Sequence, residues 1–186
     1  MWFIVYNLEF HKDIKTIVVS GPESTGKTTL SKRIAGHYNA IYYPEFARAY
    51  VSQLNRPYEY RDLVRIAEKQ VEDFFYRQQP KDDKLNVFDT GLIITKVWFE
   101  VVYSKVPDFI YEALNKLKID LYLLCYPDIP WIPDGIRENG GEKRMELFEK
   151  YRTEIELYQF DYIIIKGNED ERFLTAKQYI DSAHSL

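Results

Sequence analysis

Apolar positions along this chain of 186 residues alternate between two rhythms. Short continuous runs recur at Thr16 to Ser20, Ala40 to Tyr43, Leu85 to Phe88, Leu121 to Tyr126 and Tyr162 to Ile165. They have the length and composition of strands buried on both faces. Between them, helices are predicted over 27–38, 61–78, 92–103, from Pro107 to Lys118, and from Glu169 to Ala183. Leu63, Ala67, Val71 and Phe74 form a stripe at helical spacing. Met145, Phe148, Tyr151, Ile155 and Tyr158 form another in the segment after 141. Strands separated by helices demand crossover connections, so the pattern predicts an α/β fold whose five-stranded parallel sheet is flanked by helices in three layers.

Two stretches break the rhythm. Residues 127–141 hold Pro127, Pro130 and Pro133 with Gly135, Gly140 and Gly141, a run too long for a plain connector and read as a lid over about 127–144. The first 15 residues are apolar but lack a basic leader and a cleavage site, so they are read as an N-terminal arm or extra strand ahead of a domain over 16–186. No stretch reaches the ~18 apolar residues of a membrane span. The lone Cys125 excludes an internal disulfide. A cytoplasmic chain is expected. Its net charge of -4 argues against a nucleic-acid partner, and the scattered His11, His37 and His184 suggest no metal cluster.

Gly21-Pro22-Glu23-Ser24-Thr25-Gly26-Lys27-Thr28 matches G-x-x-x-x-G-K-[ST]. It follows a buried strand and opens a helix, the setting in which backbone N–H groups curl around phosphates. Gly21, Glu23, Ser24, Thr25, Gly26, Lys27, Thr28 and Thr29 are therefore candidate nucleotide-binding residues. Lys27 reaches for the β- and γ-phosphates, and the Thr28 hydroxyl for Mg²⁺. Asn115-Lys116 continues as Leu117-Lys118, and no Asp stands three residues before a Gly, so the guanine-specific elements are missing. ATP with Mg²⁺ is the expected ligand pair, and a P-loop kinase-like fold the expected frame.

In such a kinase the acceptor lies beyond the carboxyl ends of neighbouring strands. Glu45 and Asp89 stand at two such ends. Either can take the proton of an acceptor hydroxyl; Asp89 can also serve Mg²⁺. The rival readings are structural: Glu45 as an acid at a helix N-terminus, Asp89 as an N-cap. Arg48, three residues past Glu45, can share its direction on a helix. The expected lid offers Arg137, Lys143 and Arg144 to neutralise transferred charge, or a solvated basic loop. Trp131 either staples the lid or stacks on a planar substrate ring. Aromatics make up 16% of the chain and crowd between Tyr42 and Tyr76, where one or two rings are expected to stack on a base.

The phosphate-loop motif together with Glu45-Phe46-Ala47-Arg48, Asp89-Thr90 and Trp131-Ile132-Pro133-Asp134-Gly135-Ile136-Arg137 resembles the ribosylnicotinamide kinase domain of the NadR type, small P-loop kinases sometimes described as AAA-related ATPases. The resemblance spans about residues 15–184. It implies phosphorylation of the ribose 5′-hydroxyl of nicotinamide riboside by ATP. Lys27 and Thr28 would serve ATP and Mg²⁺, Glu45 and Arg48 the riboside, Asp89 the reacting centre and Arg137 the lid. An adenylyltransferase domain of the kind that precedes the kinase in bifunctional NAD-salvage proteins is not expected here, with only about 15 residues ahead of the first strand. The rival functions are a regulatory P-loop ATPase gating a protein partner and a nucleoside monophosphate kinase. A homo-oligomer is left open.

Overall fold

The computed structural model describes residues 14–77, 84–132 and 140–184. Five parallel strands, β1 (Thr16–Ser20), β2 (Ile41–Tyr43), β3 (Asn86–Asp89), β4 (Leu121–Cys125) and β5 (Tyr162–Ile165), form one sheet in the order β2-β3-β1-β4-β5. The central strand β1 aligns Val18 with Phe88 on one side and with Tyr122 on the other. Its five residues are all buried, which explains why its sequence is continuous rather than alternating.

Alternate side chains of the strands feed two cores, one on each face of the sheet. Ile17, Val19, Leu121 and Leu123 meet Leu30 and Ile34 of α1 (Lys27–His37) and Ala176 and Ile180 of α7 (Glu169–His184). On the opposite face Val18, Phe88, Tyr122 and Leu124 meet α3 (Tyr60–Arg77), α4 (Leu92–Tyr103), α5 (Asp108–Leu114) and α6 (Lys143–Leu157). The three-layer α/β architecture is as expected. In α3 the stripe of Leu63, Ala67 and Phe74 is buried, joined by Ile66.

Three local expectations change. A further helix, α2 (Phe46–Ser52), follows Glu45 directly. Next, α5 ends at Leu114 instead of Lys118; the amides of Lys116 and Leu117 both donate to the Ala113 carbonyl, turning the chain so that Leu117 and Ile119 enter the core. In α6, Met145 is exposed, whereas Arg144 takes the buried place in the first turn with Leu147 and Phe148. The arm falls almost wholly in 1–13, outside the described residues. So does 133–139, which includes Pro133, Gly135 and Arg137.

Candidate functional site

The phosphate-binding loop leaves β1 at Gly21, whose φ of 140° suits glycine alone. A Cβ at Gly21 would stand 2.6 Å from the Cys125 carbonyl oxygen, so only glycine lets the loop pass that close to β4. The loop closes at Gly26, in left-handed conformation at φ 74°, and α1 begins with Lys27. The Leu30 amide makes the first helical bond, 2.9 Å to the Gly26 carbonyl, which leaves the first-turn amides without intrahelical partners, as an anion site needs. The Lys27 ammonium lies back across the loop, donating to the Pro22 carbonyl at 2.8 Å. The Thr25 hydroxyl donates to the same oxygen at 2.8 Å. Thr28 and Thr29 are exposed at the loop's mouth, and Glu23 and Ser24 are half-buried beside it.

Because β3 lies beside β1 in the sheet, and β2 beside β3, the carboxyl ends of both deliver their acids next to the loop. Asp89 is buried; its Oδ2 accepts the Tyr42 hydroxyl at 3.2 Å, and burial, with the Asp89 charge and this bond adding to it, drives the Tyr42 phenol strongly upward in pKa. Its Oδ1 is buried without a hydrogen-bond partner. Asp89 is not an N-cap, since Gly91 occupies that place ahead of α4. Thr90, just after it, is held at φ 75°, a costly conformation for a β-branched residue and one that clusters at functional sites.

Glu45 does occupy the N-cap of α2, but its side chain makes no capping bond. Its carboxyl is raised above the ordinary glutamate range, chiefly by burial. Lys27 and Arg48 oppose that shift, and Asp89 and Glu23 add to it. All four of these charged groups are thus within electrostatic reach of Glu45. The buried Tyr151 of α6 faces the same cluster, its phenol pushed up by burial and by Glu23 and Glu45.

Arg144 and Trp131 flank the loop. Arg144 is buried and donates to the Ser24 carbonyl at 3.0 Å and the Ile129 carbonyl at 2.9 Å. Trp131 lies against Gly140, where a Cβ would come within 3.3 Å of the indole. The Ser24 hydroxyl meets both the amide and the carbonyl of Ile132. These contacts tie both described ends of the 127–144 segment to the phosphate-binding loop and to each other.

The aromatic stretch mostly serves packing. Tyr43 and Phe74 both stack on Phe88, Tyr60 sits edge-on to Phe99 and Tyr103, and Tyr58 accepts the Trp98 indole N–H at 3.2 Å. Sequence reasoning missed Arg172. This buried residue of α7 donates to the carbonyls of Thr25, Tyr126 and Gly167 and pairs with Asp128. Its position in a helix stripe gave no hint of this; only the fold brings it behind the loop.

A parallel sheet with this strand order, a G-x-x-x-x-G-K-T loop after the central strand and acids at the ends of β2 and β3 define a P-loop nucleotide-binding protein. The chain belongs to the AAA domain family, whose model matches residues 16–172. It is similar to the trifunctional NAD biosynthesis/regulator protein NadR of Salmonella typhimurium and of Escherichia coli, at 23% identity over 90% of this chain. It spans 42% of the length of those relatives. A crystal structure of NadR in complex with NR superposes with a TM-score of 0.74 at 23% identity, covering 94% of this chain and 52% of that one. A NadR complex with NAD and AMP-PNP gives 0.66 at 26% identity, covering 92% and 49%. Deoxyadenosine kinase from M. mycoides gives 0.64 at 14% identity, covering 90% and 99%. No helix among the described residues is long and apolar enough to cross a membrane.

Proposed function

We propose that this chain is an ATP-dependent kinase that phosphorylates the 5′-hydroxyl of a ribose, with nicotinamide riboside as acceptor. The observation that carries the reading is the convergence of Lys27 and Arg48 with Glu45 and Asp89 at adjoining strand ends, one carboxylate oxygen of Asp89 being buried and unpartnered. Support comes from the NadR structures, one holding NR and another AMP-PNP.

In this reading the loop amides and Lys27 hold the β- and γ-phosphates, Lys27 exchanging the Pro22 carbonyl for phosphate oxygens. Arg48 and Glu45 orient the ribose. The 5′-oxygen attacks the γ-phosphorus, its proton passes to Glu45, and the bond from that phosphorus to the bridging oxygen breaks to release ADP. Glu45 suits the proton-accepting role because burial already favours its protonated form. The donors also fit Mg²⁺, a hard cation that takes few protein oxygens beside the phosphates: the exposed Thr28 hydroxyl and the unpartnered Asp89 Oδ1. Bound there, the ion would neutralise charge on the transferring group. The 127–144 segment is proposed as the lid, with Trp131 stapling its ends and Arg137 reaching the phosphates.

The test is ADP release with Mg·ATP and a panel of nicotinamide riboside, other ribosides and nucleoside monophosphates, each product weighed by mass spectrometry. Nicotinamide riboside should gain one phosphate, and Lys27→Ala should cut turnover by orders of magnitude without altering the circular dichroism. ADP release no faster with any acceptor than with water alone would overturn the kinase reading. A preference for a monophosphate would overturn the hydroxyl acceptor.

A further inference from the structure

We propose that Arg172 and Arg144 are positioning residues that set the peptide planes of the phosphate-binding loop from behind, so that the loop's amides are aimed before nucleotide arrives; that phosphates dock there rests on the kinase reading. In a trans peptide the carbonyl of one residue and the N–H of the next point in opposite directions, and the described residues contain no cis bond. The Arg144 guanidinium takes the Ser24 carbonyl at 3.0 Å, which turns the Thr25 N–H the other way. Arg172 takes the next carbonyl, that of Thr25, at 3.1 Å, which turns the Gly26 N–H the other way. A third carbonyl, Pro22, is held by the Thr25 hydroxyl even when Lys27 lets go. With Ser24 at φ 53° and Gly26 at φ 74°, the loop is in a conformation a free chain would seldom hold.

Both guanidiniums are buried, at 2% and 6% exposure for Arg172 and Arg144, and both are anchored away from the loop. Arg144 also grips Ile129. Arg172 spreads over the carbonyls of Gly167 at 2.7 Å and Tyr126 at 2.9 Å and pairs with Asp128. That spread needs arginine's planar fork of five donors; a lysine ammonium cannot reach carbonyls on three segments at once. The two residues come from helices on opposite faces of the sheet, α7 and α6, so the loop is clamped from both layers. Both guanidiniums donate to backbone carbonyls, that of Arg172 to Asp128 as well, and so each acts through the amides it aims.

The full chain is titrated with inorganic tripolyphosphate and Mg²⁺ by calorimetry, and the Thr25 and Gly26 amides are followed by ¹⁵N-resolved NMR. In the native protein both amide signals should move on binding. Arg172→Lys, which keeps the charge but not the fork, and Arg144→Met should each weaken tripolyphosphate at least tenfold and shrink those two shifts, while the KM for the riboside stays unchanged. A purely structural role would move the melting point without singling out two amides. Folded variants that bind tripolyphosphate as the native chain does would overturn the proposal. If Arg172→Lys does not fold, Arg144→Met decides by the same comparison, and native amides that ignore tripolyphosphate overturn it with no variant at all. A native chain that phosphorylates no riboside yet shows these arginine-dependent shifts would sink the kinase reading and leave this inference standing.

Discussion

Burial raises the pKa of Glu45, opposed by Lys27 and Arg48 and reinforced by Asp89 and Glu23. A carboxyl that binds its proton more tightly folded than unfolded adds stability at low pH. That stability is lost as pH climbs from the ordinary glutamate value through the raised one. Ionised Glu45 therefore costs stability at neutral pH. Glu45→Gln should raise the melting point at pH 8, leave it nearly unchanged at pH 4, and reduce turnover by about 10²-fold or more, with much less effect on ATP affinity. Calorimetry at both pH values and initial rates check this; equal losses in turnover and ATP affinity would deny Glu45 its role in proton transfer. The neighbours give a second handle of opposite signs. Glu23 raises the Glu45 pKa and Arg48 lowers it, so Glu23→Gln should shift the acid limb of kcat/KM to lower pH and Arg48→Gln to higher pH. Shifts in one direction for both variants would assign that limb to another group.

Elements with long stripes or continuous apolar runs were legible in the sequence because burial alone defines them, as in β1 and α3. The short helix α2 left no apolar stripe, since it offers a single buried residue, Ala47; the reading of Glu45 at a helix N-terminus pointed to it. Phe46, Tyr50 and Val51 pack part-buried against the core, and polar contacts pin the helix to α3. The Tyr50 hydroxyl donates to the buried Asp62 at 3.1 Å, and Arg56 grips the same carboxylate through two bonds of 2.6 and 2.9 Å. Such a clamp joins residues of three segments and leaves no periodic trace. The same is true at the site: Lys27, Glu45 and Asp89 were legible from a motif and from strand ends, whereas Arg172 depends on where α7 packs. The clamp holds Asp62 well below the ordinary aspartate range, chiefly through Arg56. A lowered carboxyl contributes stability above the ordinary aspartate value and loses it as pH falls. Asp62→Asn should therefore melt earlier than the native chain at neutral pH, with the gap closing in acid, and should raise the riboside KM more than the ATP KM, because α2 carries Arg48 and follows Glu45. At the other extreme, Gly36 sits exposed in α1 with open space where its Cβ would be. Gly36→Ala should gain about 0.5–1 kcal/mol in urea denaturation with unchanged turnover.

At the scale of the whole molecule, the phosphate-binding loop is where the layers meet. It connects the central strand to α1, passes against β4 at Gly21, and is held by α6 through Arg144 and by α7 through Arg172. Nucleotide that fixes this loop should consequently stabilise both cores and not only its own surroundings. Saturation with Mg·AMP-PNP at about a hundred times its Kd is worth about 2.7 kcal/mol, which for a chain of this size is a rise in Tm of about 5–11 °C. Lys27→Ala should lose most of that rise while keeping the ligand-free Tm, because its ammonium rests on the Pro22 carbonyl and not in either core. Hydrogen exchange measured in the same titration locates the gain: amides of α1, α6 and α7 should slow together, although α6 and α7 lie on opposite faces of the sheet. Slowing confined to α1 would show that the two arginines do not transmit the ligand's stabilisation, and that the layers on either side of the sheet respond to nucleotide independently.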